Sequence, residues 1–189
     1  MFTPKIQTVI DAVDGLREKV DDHWQIPADE AKLLTQLVKL GRCKSICEIG
    51  TSYGFSTLHF AAAVSWHGGH VHTLDIEPRK TDAARKSLTE AGLIGVVTLL
   101  TGRAQDVLKS LKPRELFDFV FIDAWKEESL EYLRAVTPLL AKQAVLVTDN
   151  TDTHKAELAG FVEHLRGLKG ATSCNVSVGN GFEFTIVSR

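Results

Sequence analysis

The stretch Ile46-Cys47-Glu48-Ile49-Gly50-Thr51-Ser52-Tyr53-Gly54-Phe55-Ser56 reads as a strand, a glycine turn and the start of a helix. Glycines at such a turn let the backbone take positive φ and approach a ligand closely. The helix that follows presents unpaired N–H groups at its N-terminus, a suitable place for an anionic group such as a carboxylate. The glycine spacing is GxxxG, which matches neither the GxGxxG dinucleotide fingerprint nor a Walker-A loop with its Gly-Lys-Ser/Thr. Alone, the stretch identifies a βα unit and leaves its ligand open.

Outward from this unit the texture repeats. Strands are predicted at 45–49, 70–75, 96–100, 117–122 and 144–148, with helices near 55–64, 78–91, 104–111, 127–140 and 154–168. Strands alternating with helices of this length form βαβ units and a parallel sheet. The ending differs: 172–178 and 182–187 alternate in polarity around Gly179-Asn180-Gly181, a hairpin signal. At the other end, Thr3-Pro4 reads as N-cap and first-turn proline of a helix carrying Ile6, Val9, Ile10, Val13 and Leu16. A second helix runs from near Pro27 through Leu33, Leu34, Leu37 and Val38 to Gly41. The expected fold is α/β: a Rossmann-like, seven-stranded, mostly parallel sheet with a C-terminal antiparallel β-hairpin and helices on both faces. One domain is expected over 1–189, with 1–41 as a helical cap and 42–189 as the core.

Composition narrows the class. A chain of 189 residues suffices for one well-filled core, and a formal charge of -2 gives no sign of a dedicated nucleic-acid binder. The longest apolar runs, such as 96–100, are strand-length and too short to span a bilayer. The N-terminus, with Pro4, Lys5 and Asp11, lacks the apolar stretch of a signal peptide. Cys43, Cys47 and Cys174 give neither a disulfide framework nor a CxxC pair. A cytoplasmic, reducing location with no membrane partner is expected.

Carboxylates at strand ends supply the chemistry. Leu74-Asp75-Ile76-Glu77-Pro78 places Asp75 about 20 residues beyond the glycine loop, where an acidic residue binds ribose hydroxyls in nucleotide-binding α/β folds. Asp75 would serve equally as cap of the helix opening at Pro78; Glu77 is better placed for that, which leaves Asp75 free. NAD and S-adenosylmethionine both carry an adenosine ribose, so these two signals do not separate them. The fourth strand ends in Phe121-Ile122-Asp123-Ala124-Trp125-Lys126 and the fifth in Val147-Thr148-Asp149-Asn150. Ligands of open α/β sheets bind outside the carboxyl ends of the strands, so Asp123, Asp149 and Asn150 are expected to converge beside the nucleotide site. Three oxygen donors with room for water and a bidentate substrate suit a hard cation such as Mg²⁺. Each Asp taken singly has the alternative role of a helix N-cap. The set, with Lys126 beside it, favours the cation.

In order, Glu48-Ile49-Gly50…Gly54-Phe55-Ser56, Asp75-Ile76-Glu77-Pro78, Gly102-Arg103-Ala104-Gln105-Asp106, Asp123-Ala124-Trp125-Lys126 and Asp149-Asn150 resemble the motifs of the catechol and caffeoyl-CoA O-methyltransferases. The resemblance covers residues 24–187. It implies a methyltransferase-type sheet, S-adenosylmethionine as cofactor, and metal-dependent methyl transfer to a hydroxyl of a catechol-like small molecule. It also implies that Glu48, Gly50, Tyr53 and Ser56 line the methionine portion of the cofactor. On the same resemblance Asp75 holds the ribose hydroxyls, Ile76 packs on adenine, Ala104 and Gln105 meet its edge, and Trp125 walls the pocket. Asp123, which also borders the cofactor, joins Asp149 and Asn150 as ligands of Mg²⁺ or another divalent cation, and Lys126 is the general base. Residues 22–26 resemble the family's N-terminal gate. The chain departs from the family where acceptors are chosen: no long insertion precedes the last hairpin, and the acidic substrate anchor of the catechol enzymes has no counterpart, since Glu183 lies inside the last strand.

Two other readings use the same residues. A related metal-dependent enzyme methylating a hydroxylated wobble uridine of tRNA would share every motif, with Arg79, Lys80, Arg85 and Lys86 as its basic face. A NAD-binding or purely nucleotide-binding module explains Gly50 and Asp75 but gives Asp123, Lys126, Asp149 and Asn150 no role. His67, His70 and His72 flank Gly68-Gly69 without a cysteine or carboxylate to complete a soft-metal site, and their spacing suits a turn entering an edge or second strand. His154 starts a helix one turn after Asn150. The amphipathic first helix offers a surface for a homodimer.

Overall fold

The computed structural model describes residues 2–188. Seven strands, β1 (Ser45–Ile49), β2 (His70–Asp75), β3 (Val97–Thr101), β4 (Phe117–Ile122), β5 (Leu140–Asp149), β6 (Ala171–Val176) and β7 (Phe182–Ser188), form one sheet in the order β3-β2-β1-β4-β5-β7-β6. β1 to β5 run parallel, while β7 slots antiparallel between β5 and β6. Chain order reverses between β1 and β4. Crossovers diverge from that point, and they leave a crevice at the carboxyl ends of these two strands.

Successive side chains of a strand point to opposite faces, and the two cores follow that period. Ile46, Val71, Phe119, Phe121, Val147 and Phe182 pack on one face with α1 (Pro4–Asp14), α2 (Ala28–Leu40), α3 (Phe55–Ser65) and α4 (Pro78–Ala91). Cys47, Ile49, Leu74, Val120, Ile122 and Leu146 pack on the other with α5 (Ala104–Ser110), α6 (Ser129–Val136) and α7 (Lys155–Gly167). Helix α3 is buried from Phe55 to Val64 because α1 and α2 cover the side turned away from the sheet. This is why its sequence is apolar all round rather than striped. Helix α1 begins as its sequence predicts: the Thr3 hydroxyl accepts the Ile6 N–H at 3.4 Å and Pro4 occupies the first turn. None of the described helices is long and apolar enough to cross a membrane.

The expected strands and helices are present, with two differences of substance. The single helix expected over 127–140 is broken into a 3₁₀ turn at Lys126–Glu128, α6, and a second 3₁₀ turn at Thr137–Leu139. Pro138 lacks an N–H and crowds the preceding turn, so α6 stops at Val136. Strand β5 begins at Leu140, four residues before the expected 144, because Lys142 and Gln143 lie on an exposed stretch that hides its alternation.

Candidate active site

The crevice between β1 and β4 holds a cavity of about 600 Å³. Its floor is set by backbone contact. Gly50 has φ +107°, and a Cβ there would overlap the Asp123 carbonyl. No other residue permits the β1 turn and the end of β4 to meet so closely. The Ser52 N–H donates to Asp75 Oδ2 at 2.7 Å and the Glu77 N–H to Asp75 Oδ1 at 2.9 Å. Asp75 therefore organises the entrance to α4. Glu77, expected as the cap, makes no capping bond and pairs instead with Lys80 at 2.9 Å and Arg79 at 3.0 Å. Each Asp75 oxygen keeps a lone pair for a further donor.

One half of the cavity is apolar and open. Ile76, Trp24 and Trp125 are 55%, 66% and 59% exposed, yet all three line it, so apolar surface faces a space rather than the core. Trp24 and Trp125 meet edge to face at 6.4 Å, and the Lys80 ammonium lies 5.3 Å from the Trp24 ring centre. Ala104 and Gln105 close this end. Gln105 donates to Glu128 at 2.5 Å, while its carbonyl oxygen is buried without a donor. A flat group carrying an N–H donor fits that arrangement.

The other half is acidic. Lys126 Nζ is 3.1 Å from Asp123 Oδ1. Asp149 is fully buried; its Oδ2 accepts the Asn180 side-chain amide at 3.3 Å, and its Oδ1 has no donor. Burial, reinforced by the nearby Asp123 and Glu30 carboxylates, pushes the Asp149 pKa far above the usual carboxylate range. Asn150 takes φ +69°, a left-handed conformation that Asn tolerates, and this turns it into the same cavity. Carboxylate and amide oxygens are the donor types that hard cations take. Among the described residues no three His, Cys, Asp or Glu side chains form a cation-binding set by themselves, and Asn150 lines the same cavity beside the two acids.

Gly50, Asp75, Ile76, Ala104, Gln105, Asp123, Trp125, Lys126, Asp149 and Asn150 thus share one cavity. Glu48, Tyr53 and Ser56 do not line it. Glu48 is completely buried and accepts from Ser56 at 2.6 Å, Thr57 at 2.5 Å and Thr73 at 2.5 Å, tying α3 and β2 to β1 behind the glycine turn. Tyr53 stacks on His23 at 4.7 Å and bonds Asp22 at 2.9 Å. His154, Glu157 and Asn180 line the acidic end, where sequence reasoning left it open. Glu30, not singled out from sequence, stands buried next to Asp149. The three histidines around the turn into β2 lie elsewhere: His67 contacts the Cys43 carbonyl and His70 the Thr98 hydroxyl, and burial pushes the His72 pKa down to about 4.

The family model described as O-methyltransferase matches residues 12–159. A catechol O-methyltransferase of Niastella koreensis is 33% identical over 141 residues, 74% of this chain and 63% of that protein. A catechol O-methyltransferase of Mycobacterium tuberculosis is 36% identical over 125 residues, 66% of this chain and 56% of that protein. The match therefore spans less than two thirds of either relative. Among solved structures, an O-methyltransferase from Bacillus cereus in complex with S-adenosylhomocysteine superposes with a TM-score of 0.84 at 26% identity, covering 98% of this chain and 91% of that one. The O-methyltransferase TomG of Streptomyces achromogenes, involved in tomaymycin synthesis and solved with S-adenosylmethionine, gives a TM-score of 0.81 at 28% identity over 100% of this chain and 92% of that one.

Proposed function

The chain belongs to the O-methyltransferase family, and on that premise we propose that it transfers the methyl group of S-adenosylmethionine to a hydroxyl of a catechol-like small molecule with the help of a divalent cation. The observation that carries the reading is the unpartnered Oδ1 of the buried Asp149, which shares one cavity with Asp123, Lys126 and Asn150. Leaving a buried carboxylate oxygen without donor or cation is costly. A site that keeps such an acid on the wall of a cavity, beside Asp123, is built for a positive partner.

Asp123, Asp149 and Asn150 would hold the cation, and Asp75, Ile76, Gln105 and Trp125 the nucleoside of the cofactor. When bound, the cation supplies Lewis acidity that lowers the pKa of a coordinated hydroxyl, and the cofactor brings an activated methyl group. This chain's own residues do the rest. Lys126, fixed by its 3.1 Å contact with Asp123, is placed to take the hydroxyl proton. Trp24 and Trp125 border the cavity's open end, where they would shield a bound nucleoside from water. Rate should come mainly from positioning of the two reactants.

The basic face that a tRNA substrate would use is partly spent: Arg79 pairs with Asp22 and Glu77, and the buried Lys80 with Glu77. The test is calorimetric titration with S-adenosylhomocysteine and then with a catechol, each with Mg²⁺ and with EDTA, alongside a methyl-transfer assay. Product binding with metal-dependent catechol binding and methylation is the expected result. Catechol binding and methylation undiminished in EDTA would overturn the metal role. Product binding without any diol binding would turn the acceptor toward RNA or another hydroxyl compound.

A further inference from the structure

Glu30 lies in the first turn of α2, where an acid ordinarily sits in solvent against the positive end of the helix. Here it is completely buried. Its Oε2 accepts the backbone N–H of Asn180 at 3.0 Å, and the side-chain amide of the same Asn180 donates to Asp149 Oδ2 at 3.3 Å. Asn180 thus bridges the two carboxyl groups. The other oxygen of each, Glu30 Oε1 and Asp149 Oδ1, is buried without a donor, and the two groups stand within hydrogen-bonding reach of one another. The hairpin turn is packed hard onto this pair: at Gly179, with φ +63°, a Cβ would run into the Glu30 side chain. Glu30 itself does not line the cavity, whereas Asp149 and Asn180 do.

We propose that Glu30 and Asn180 form a clamp that positions Asp149 for the cation, and that the clamp ties the cation site to the N-terminal helix α2. The proposal rests on the cation reading given above. Groups that hold a metal-binding carboxylate in place commonly govern affinity without touching the ion. Here the clamp draws on three separate parts of the chain, α2, the end of β5 and the turn before β7, so it exists only when the cap is seated on the sheet. Cation binding should therefore be felt in α2 and in the gate segment just before it.

The experiment uses the whole chain and manganese alone as probe, read by electron paramagnetic resonance, with hydrogen exchange followed by mass spectrometry. Wild type should bind Mn²⁺, and the metal should slow exchange over residues 20–34. Glu30→Ala should weaken Mn²⁺ by about tenfold or more and erase that protection, with S-adenosylhomocysteine affinity retained. Glu30→Gln keeps the length and the acceptor for Asn180 and adds a donor facing Asp149, so it should restore affinity close to wild type. A residue that merely filled space would leave Mn²⁺ affinity unchanged on truncation, and that result overturns the proposal. Should Glu30→Ala fail to fold, Asn180→Ala removes the other arm and must show the same loss. If wild type itself binds no Mn²⁺, the cation reading falls and the clamp with it; if wild type binds and both truncations bind equally well, the clamp alone falls.

Discussion

Two buried carboxylates make opposite use of the same low-polarity interior. Glu48 is surrounded by three hydroxyl donors and still has its pKa pushed up to about 7, burial outweighing the hydrogen bonds and the nearby Asp123 adding to the shift. An acid whose folded pKa lies above its ordinary value of 4.5 stabilises the fold fully below that value. The contribution is lost as pH rises through about 7. At ~1.4 kcal/mol per pKa unit the loss is on the order of 3 kcal/mol. Glu48→Gln carries no charge at any pH, so its stability relative to wild type should rise from mildly acid to mildly alkaline solution. Urea unfolding at both ends of that window measures the gap; an unchanged gap would mean that Glu48 is ionised throughout. Asp149 differs in having an oxygen with no donor. Asp149→Asn should leave the melting temperature near neutral pH little changed, since the raised pKa keeps the acid protonated there, while abolishing Mg²⁺ binding and diol methylation. A variant that kept cation-dependent methylation would show that the ion sits elsewhere. Asp123, Lys126 and Asp149 were legible in the sequence because strand ends announce themselves. Glu30 was not, because a first-turn acid looks like an ordinary dipole partner, and its contact with Asn180 crosses 150 positions of chain.

At the level of elements, the segment between α1 and α2 is anchored by the buried Ile26 and, on its outer side, by charge. Asp22 bonds Arg79 and the Tyr53 hydroxyl and faces Lys80 at 3.7 Å, and its carboxyl pKa is lowered chiefly by the Arg79 hydrogen bond. Further along, Gln25 donates to Asp14 at 2.5 Å and Arg17 to the Ile26 carbonyl at 3.2 Å. Arg79 is exposed and Asp14, Arg17 and Asp22 are partly so, so salt screens their ion pairs and each is weak singly. Asp22→Asn should speed hydrogen exchange over 19–26, weaken S-adenosylhomocysteine a few-fold and shorten its residence, with little change in global stability. Raising the salt should reproduce part of the effect in wild type; affinity unaffected by both changes would show that this segment does not close over the cofactor. The sheet elements were legible from periodicity, β1, β2 and β4 to the residue. Two boundaries were not: Pro138 ended α6 early, and the polar Lys142 and Gln143 disguised the first half of β5. The place of β7 inside the sheet is invisible to periodicity, which gives strands but no order. Its inner position shows in burial instead: Glu183, the second residue of β7, is fully buried and held by Arg166 at 2.7 and 2.8 Å and by Ser173 at 2.5 Å, which commits it to structure rather than to a substrate.

Taken as a whole molecule, the cap and the sheet have no separate cores. Val9, Ile10 and Val13 of α1 and Leu34 and Val38 of α2 belong to the same buried cluster as Phe119, Phe121 and Phe182 of the sheet. Helix α3, apolar on every side, would expose one full face to water if the cap left it. Cofactor contacts are expected at the ends of β1, β2 and β4 and at the start of α5, on both sides of the point where strand order reverses. A ligand there binds only when the halves of the sheet are assembled, so all of its binding energy appears as folding stability. With S-adenosylhomocysteine at a hundredfold its dissociation constant the gain is about 2.7 kcal/mol. For a chain of this size that raises the melting temperature by about 5–10 °C. Calorimetry should therefore show one transition, cap and core together, displaced as a unit by the ligand. Two transitions of which only the upper moves would mean that residues 1–41 fold as a separate body and that the shared cluster does not bind them into one cooperative unit. That result would also remove the physical basis for any coupling between the N-terminal helices and the site they cover.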